Sequence, residues 1–206
     1  MDDKELYRKL GALTKSREAW KESIAYIESL LEGQSPRITA KALWLLGEMG
    51  LQYPDEAASC AEKIASFLDS PDDLLRERAL NALGRMGRAR FETVKPYWDR
   101  LFRLSSDGNP RVRLSFIWAS ENIATNAAEA YEYRLPLFAE LLHDNDDKVR
   151  MEVPEMFRVV GKRQPQLVKP YLDRLQWLAE NDPHPVVRIH CAGAIQAIAK
   201  VLETSE

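Results

Sequence analysis

Cysteine and histidine are scarce in this chain, and that excludes much chemistry. The 206 residues hold only Cys60 and Cys191, with His143, His184 and His190. No Cys-x-x-Cys, His-x-x-x-His or His-Glu pair occurs. Zinc sites need several soft ligands at tight spacing, so no metal ligand set can be assembled. Glycine loops of the form Gly-x-x-x-x-Gly-Lys or Gly-x-Gly-x-x-Gly are missing, and so is Gly-x-Ser-x-Gly. The expectation is a chain with no catalytic residues, no cofactor and no metal. An excess of positive charge is lacking too. There are 29 basic and 32 acidic residues, net −3, which argues against nucleic acid as a partner and leaves room only for a local basic patch. No run approaches the ~20 apolar residues of a membrane span. The start, Met1-Asp2-Asp3-Lys4-Glu5, is charged with no apolar segment behind it, unlike a signal peptide. The two cysteines fall in distant parts of the chain. A reducing, cytoplasmic setting is expected, with no membrane partner.

What the chain has is a repeat. An aliphatic residue and a basic or polar one recur with a small residue eleven positions on: Ile38-Thr39…Gly50, Leu75-Arg76…Gly87, Val112-Arg113…Ala124, Val149-Arg150…Gly161 and Val187-Arg188…Ala199. The second positions step by 37, 37, 37 and 38 residues. A fixed period of this length marks a solenoid. Within each copy apolar residues follow helical spacing, as in Ala42, Leu46, Met49, in Ala79, Leu83, Met86 and in Val153, Phe157, Val160. Leu46–Gly50 and Leu83–Gly87 share Leu-Gly-x-Met-Gly, whose last glycine suits a helix C-cap. A second helix per copy carries Val94, Trp98, Leu101, Leu104 and, 74 residues on, Val168, Leu172, Leu175, Leu178. Pro96 and Pro170 either open this helix or, if it starts earlier, kink it. Gly/Pro/Asn/Asp clusters at 106–110 and 181–185 read as turns.

On these residues the chain resembles the HEAT-repeat family. Asp107/Arg113, Asp144/Arg150 and Asp182/Arg188 match its Asp six residues before an Arg, whereas Ser70 precedes Arg76 and Thr39 stands at an Arg position. The resemblance implies an all-α, right-handed α-α superhelix (a HEAT-type solenoid) of about five helix pairs plus a terminal helix. It also implies an Asp/Arg ladder between copies and second helices lining a concave surface. One domain is expected over 1–206: a cap at about 1–34, copies at 35–71, 72–108, 109–145 and 146–182, and a terminal helix at 183–206. Leu6, Leu10 and Leu13, with Trp20, Ile27 and Leu30, give the cap its apolar face. The terminal helix has no second helix over it, so its own tail or a second copy of the chain is expected to mask it.

A solenoid is a binding surface first, and the expected function is a non-catalytic scaffold or adaptor. The partner is an unknown protein or peptide on the concave face. That stripe holds Lys63, Lys95, Asp99, Arg100, Arg103, Glu140, Lys169, Asp173, Arg174 and Trp177. It reads either as a solvated, self-paired surface or as a polar groove. Trp177 stands where other copies have Ser66, Arg103 and Glu140, so it is an interface anchor or a cover for the array's end. Trp44 and Trp118 share an outward register and are either a convex-face contact or rings lying on their neighbours. The contrasting reading is a nucleic-acid or DNA-repair protein like the HEAT-like alkylpurine glycosylases, which Trp98-Asp99 echo; against it, those residues align with Leu172 and Asp173. The HEAT-like phycobilin lyases offer no residue to carry over.

Overall fold

The computed structural model describes residues 2–204. Among them there is no strand, and fourteen α segments carry the architecture, as expected for an all-α solenoid of HEAT-type helix pairs. The contacts divide the chain into two compact units, residues 1–119 and 120–206.

The first unit begins with α1 (Asp3–Leu13) and α2 (Trp20–Ser29). The Asp2 side chain accepts from the Glu5 amide at 2.7 Å, satisfying one of the four donors a helix start leaves open. The Trp20 ring N–H donates to the Leu13 carbonyl at 2.8 Å and closes the α1–α2 loop. Leu6, Leu10, Trp20, Ile27 and Leu30 are buried.

Then come α3 (Pro36–Gln52), the short α4 (Pro54–Ala57) and α5 (Ala61–Ser66), and α6 (Asp73–Ala89). They are followed by α7 (Phe91–Val94), α8 (Trp98–Arg103) and the start of α9 (Pro110–Ala124). Ala42, Leu46, Met49, Ala79, Leu83 and Met86 are buried, so the helical periodicity identified the packed stripe.

The glycines do not do what their position in the motif suggested. Gly50 and Gly87 are not C-caps: α3 runs on to Gln52 and α6 to Ala89. Among the described glycines only Gly33 has positive φ. The motif serves packing instead. A methyl group on Gly47 would lie 2.7 Å from the Ala82 Cα, and one on Gly84 would lie 2.5 Å from the Ala119 Cα. These glycines let consecutive first helices approach backbone to backbone. Gly50 leaves room for the Met86 side chain in the same way.

The second helix starts before its proline. A helical turn at Phe91–Val94 precedes a 3₁₀ turn at Lys95–Tyr97, and Trp98 begins the next segment. Pro96 thus interrupts a helix rather than opening one. Its ring has no N–H to give and crowds the carbonyl one turn back. The copy at 35–71 breaks at the same place, Ala58–Cys60, with Ser59 where Pro96 stands, so packing shares the cause.

The second unit holds α10 (Leu135–Leu141), α11 (Asp147–Gly161), α12 (Pro165–Val168), α13 (Leu172–Asn181) and α14 (Pro185–Thr204). Val153, Phe157, Val160, Val168, Leu175 and Leu178 are buried. Pro170 interrupts its helix as Pro96 does, through a 3₁₀ turn at Lys169–Tyr171. By length and composition α14 is apolar enough to cross a membrane, a correction to the reading that no stretch comes close. One face of it, Val187, Cys191, Ala194 and Ile198, is buried within the unit, as a core-facing helix requires. Ile189 on another face is 66% exposed.

The Asp/Arg motif is architecture. Arg76 donates to the Ser70 carbonyl at 2.8 Å and makes two bonds to the carboxylate of Asp107, in the turn that leads into the next copy, at 2.7 and 3.0 Å. Because the local bond uses a backbone carbonyl, Ser70 serves where other copies have Asp. Arg113, Arg150 and Arg188 likewise reach the carbonyls of Asp107, Asp144 and Asp182 at 2.7–2.8 Å. In the second unit Arg150 Nε reaches the Asp182 carboxylate at 3.4 Å. Each Asp also caps the turn that follows it, accepting from the amides of Asn109, Asp146 and His184 at 2.8 Å.

Gly84→Ala is expected to destabilise. The helix-propensity gain of about 1 kcal/mol is outweighed by overpacking against Ala119, which costs about 1–3 kcal/mol. Gly11→Ala, with open space around it inside α1, should instead stabilise by about 1 kcal/mol. Urea unfolding of both variants checks the opposite signs. Asp107→Ala should cost about 2 kcal/mol by stranding Arg76. Burial works to raise the Asp107 pKa, but the Arg76 and Asn109 hydrogen bonds hold it below its ordinary 3.8. A carboxylate depressed in the folded state stabilises above its unfolded pKa and loses that contribution as pH falls through the folded one. Wild type should therefore lose more Tm than Asp107→Ala on acidification below about pH 4, measured by circular dichroism melts.

Candidate functional site

In the first unit the second-helix surface is largely self-paired. Lys63 bonds Glu32 at 2.9 Å, Arg100 bonds Asp69 at 2.6 Å, and Lys95 lies 3.5 Å from Glu92. Exposed pairs of this kind contribute little stability. Asp99 is exposed. Arg103 is exposed and makes no ion pair among the described residues. Trp98, the neighbour that raised the glycosylase comparison, stands half-buried in an edge-to-face series. Its ring lies 5.0 Å from Phe91 and 4.9 Å from Phe102, which in turn lies 5.2 Å from Phe116. Such contacts add to the burial of the rings and make Trp98 part of the packing.

In the second unit Glu140, Lys169, Asp173 and Arg174 are exposed. Trp177 is 57% exposed. It lines a shallow cavity of about 370 Å³ with His143, Asn145, Arg150, Asn181 and Pro183. Burial, then the nearby Arg174, lowers the His143 pKa and favours its neutral form. The cavity combines a large apolar ring, an imidazole and amide groups that both donate and accept. That suits a peptide backbone with one buried side chain.

The outward tryptophans differ. Trp44 is half-covered, with the Lys41 ammonium 4.1 Å from its ring centroid, so it lies against a neighbour. Trp118 is 39% exposed. Cys60 and Cys191 are free and buried, and burial pushes their pKa values up to about 11 and about 12, so both thiols are protonated and unreactive at neutral pH.

One residue was missed by reading the sequence. Glu121 occupies the register of Gly47 and Gly84, eight residues after Arg113 as they are after Thr39 and Arg76. Burial, then the charges of Glu152 and Glu155, pushes its pKa up to about 9, against some relief from Arg158. One of its carboxyl oxygens is buried with no hydrogen-bond partner. Arg158 is turned toward Glu155, with Nε donating to it at 2.6 Å. The signal was present in the register, since a carboxylate stood where two copies have glycine.

Comparison with known proteins fits this geometry. A family model described as the sister chromatid cohesion protein PDS5 matches residues 41–201. Two engineered proteins of known structure are similar to the chain. At 21% identity and a TM-score of 0.68, one covers 93% of this chain and 86% of its own. At 19% and 0.67, the other covers 93% and 85%. A designed armadillo repeat protein solved with the peptide (KR)4 is 18% identical with a TM-score of 0.66, over 96% of this chain and 94% of that one. At these identities the likeness is one of fold. No curated protein sequence matches significantly.

Glu121→Gln should stabilise the protein at pH 8. A carboxyl group with a raised folded pKa contributes fully below its unfolded pKa and loses that contribution as pH rises toward about 9. The wild-type Tm should fall between pH 5 and 9 by more than that of Glu121→Gln. Superimposable Tm profiles for the two proteins would contradict this.

Proposed function

Because the chain belongs to the PDS5 sister chromatid cohesion protein family, a HEAT-type repeat family, we propose that it is a non-catalytic scaffold. It holds a protein or peptide segment on the second-helix surface. The observation that carries this reading is Trp177. Its ring is 57% exposed at a register where the repeat needs no aromatic, and it borders a cavity. Leaving an indole in water costs burial free energy that a partner would recover. Similarity in fold to a designed armadillo protein solved with a peptide supports the same reading. The polar rim around Trp177 sets orientation, and the ring supplies the affinity.

Affinity capture with the full chain, followed by mass spectrometry and titration of the recovered partner, tests this. Trp177→Ala should weaken binding about 30-fold, which corresponds to roughly 2 kcal/mol. Arg103→Glu tests the first unit's share of the surface. If both variants hold the same partners at wild-type strength, the second-helix surface is not the binding site.

A further inference from the structure

On the opposite register of the helix pairs, the first unit holds a cavity of about 290 Å³. It is lined by Tyr7 of α1, Arg37, Lys41 and Trp44 of α3, and Leu74 and Arg78 of α6. Three cations meet in it. Elsewhere in this unit basic side chains reach across to acidic partners: Arg76 to Asp107, Arg85 to Glu48, Arg90 to Asp55, Arg100 to Asp69. Arg37 and Lys41 have no carboxylate within ion-pair distance among the described residues. Arg78 has only its chain neighbour Glu77, at 3.6 Å.

The cations are held in place from behind. The Arg37 guanidinium lies 4.0 Å from the centroid of the Tyr7 ring, and the Lys41 ammonium 4.1 Å from that of Trp44. Each ring covers one side of its cation and leaves N–H groups open. Burial, then the charge of Arg78, lowers the Lys41 pKa, against some relief from Glu48, so Lys41 and Arg78 sense each other. Leu74, 36% exposed, is an apolar shelf at the rim.

We propose that this cavity binds a phosphorylated side chain of a partner protein. Three convergent cations exceed what one carboxylate needs and match a phosphate monoester, which carries close to two negative charges near neutral pH. Guanidinium groups suit its oxygens in geometry as well as charge. Leu74 accepts an apolar residue next to the phosphorylated one. Nucleic acid fits less well, because a duplex asks for a line of cations along its backbone and this is a single compact cluster. The site is independent of the Trp177 surface.

The test uses the full chain and three immobilised degenerate peptide libraries that differ only at a fixed central residue: phosphoserine, serine or glutamate. At 0.15 M salt the phosphoserine library should retain about tenfold more protein than either of the others. Arg78→Gln should abolish the difference, and Arg37→Gln, at an exposed position, should reduce it about tenfold with an unchanged melting curve. Trp177→Ala should leave it intact, which separates this site from the proposed scaffold surface. Equal retention on all three libraries would overturn the proposal. Equal retention on the phosphoserine and glutamate libraries, insensitivity to both arginine variants in folded protein, or displacement by duplex DNA at the peptide's own concentration would overturn it too.

Discussion

The fold depends on an arginine that meets two obligations at once. A helix pair of this length has an apolar face it cannot bury alone, so each copy must be fixed against the next. Arg76 does this with one side chain. Its Nη1 ties the start of its own helix to the turn before it, and its other edge takes both oxygens of Asp107, in the turn that leads into the next copy. Asp107 in turn accepts the Asn109 amide and shapes the turn leading into α9. Turn, helix start and neighbouring copy are thereby set in one register. Burial makes the arrangement worth keeping whole, since losing one partner strands the other's charge. Arg150 and Asp182 repeat it more loosely in the second unit, with one bond to the carboxylate while the Arg150 Nη2 turns to Asp147.

Close helix packing is the second constraint, and glycine sets its distance. Gly47 and Gly84 bring α3 against Ala82 and α6 against Ala119 more closely than any side chain allows. The same register holds Glu121 and Arg158 in later copies, and there the physics inverts. A long charged side chain must find room, and Glu121 is left buried among like charges with a proton it keeps at neutral pH. At this register the later copies place polar groups where the earlier ones have glycine, a trade that costs stability wherever such a group is left unsatisfied, as at Glu121.

Periodicity located most of the buried stripe wherever it was read, with Trp98 and Leu172 only half-buried, because burial in a helix pair follows spacing of three and four residues. What it misjudged was the glycines. Gly50 and Gly87 read as helix ends because glycine is common there, but both helices run past them, Gly50 makes space for Met86 on another helix, and one helix does not show its neighbour. The two readings of Pro96 needed the structure for a similar reason: where a helix begins depends on the packing of Phe91 and Val94, not on the proline. Of the candidate site, Trp177 was legible because it departs from its register. The cluster of Arg37, Lys41 and Arg78 was not, since it forms from α3 and α6 with Tyr7 supplied by α1, and no spacing within one copy links the three.

That origin also says what filling the cavity would do. Its lining comes from three helices: the atypical first helix, the first regular one, and the next copy's. With the cavity empty, Lys41 and Arg78 repel across the α3–α6 contact that Gly47 brings so close, even with Glu48 and Glu77 nearby. A dianion between them replaces that repulsion with two attractions, and it engages the guanidinium that rests on Tyr7. Any ligand that binds only the folded state raises stability in proportion to the logarithm of its concentration over Kd. Here the gain falls on α1, α3 and α6, whose side chains line the cavity. An anion at this cavity therefore couples occupancy of the site to the order of the helices that form it.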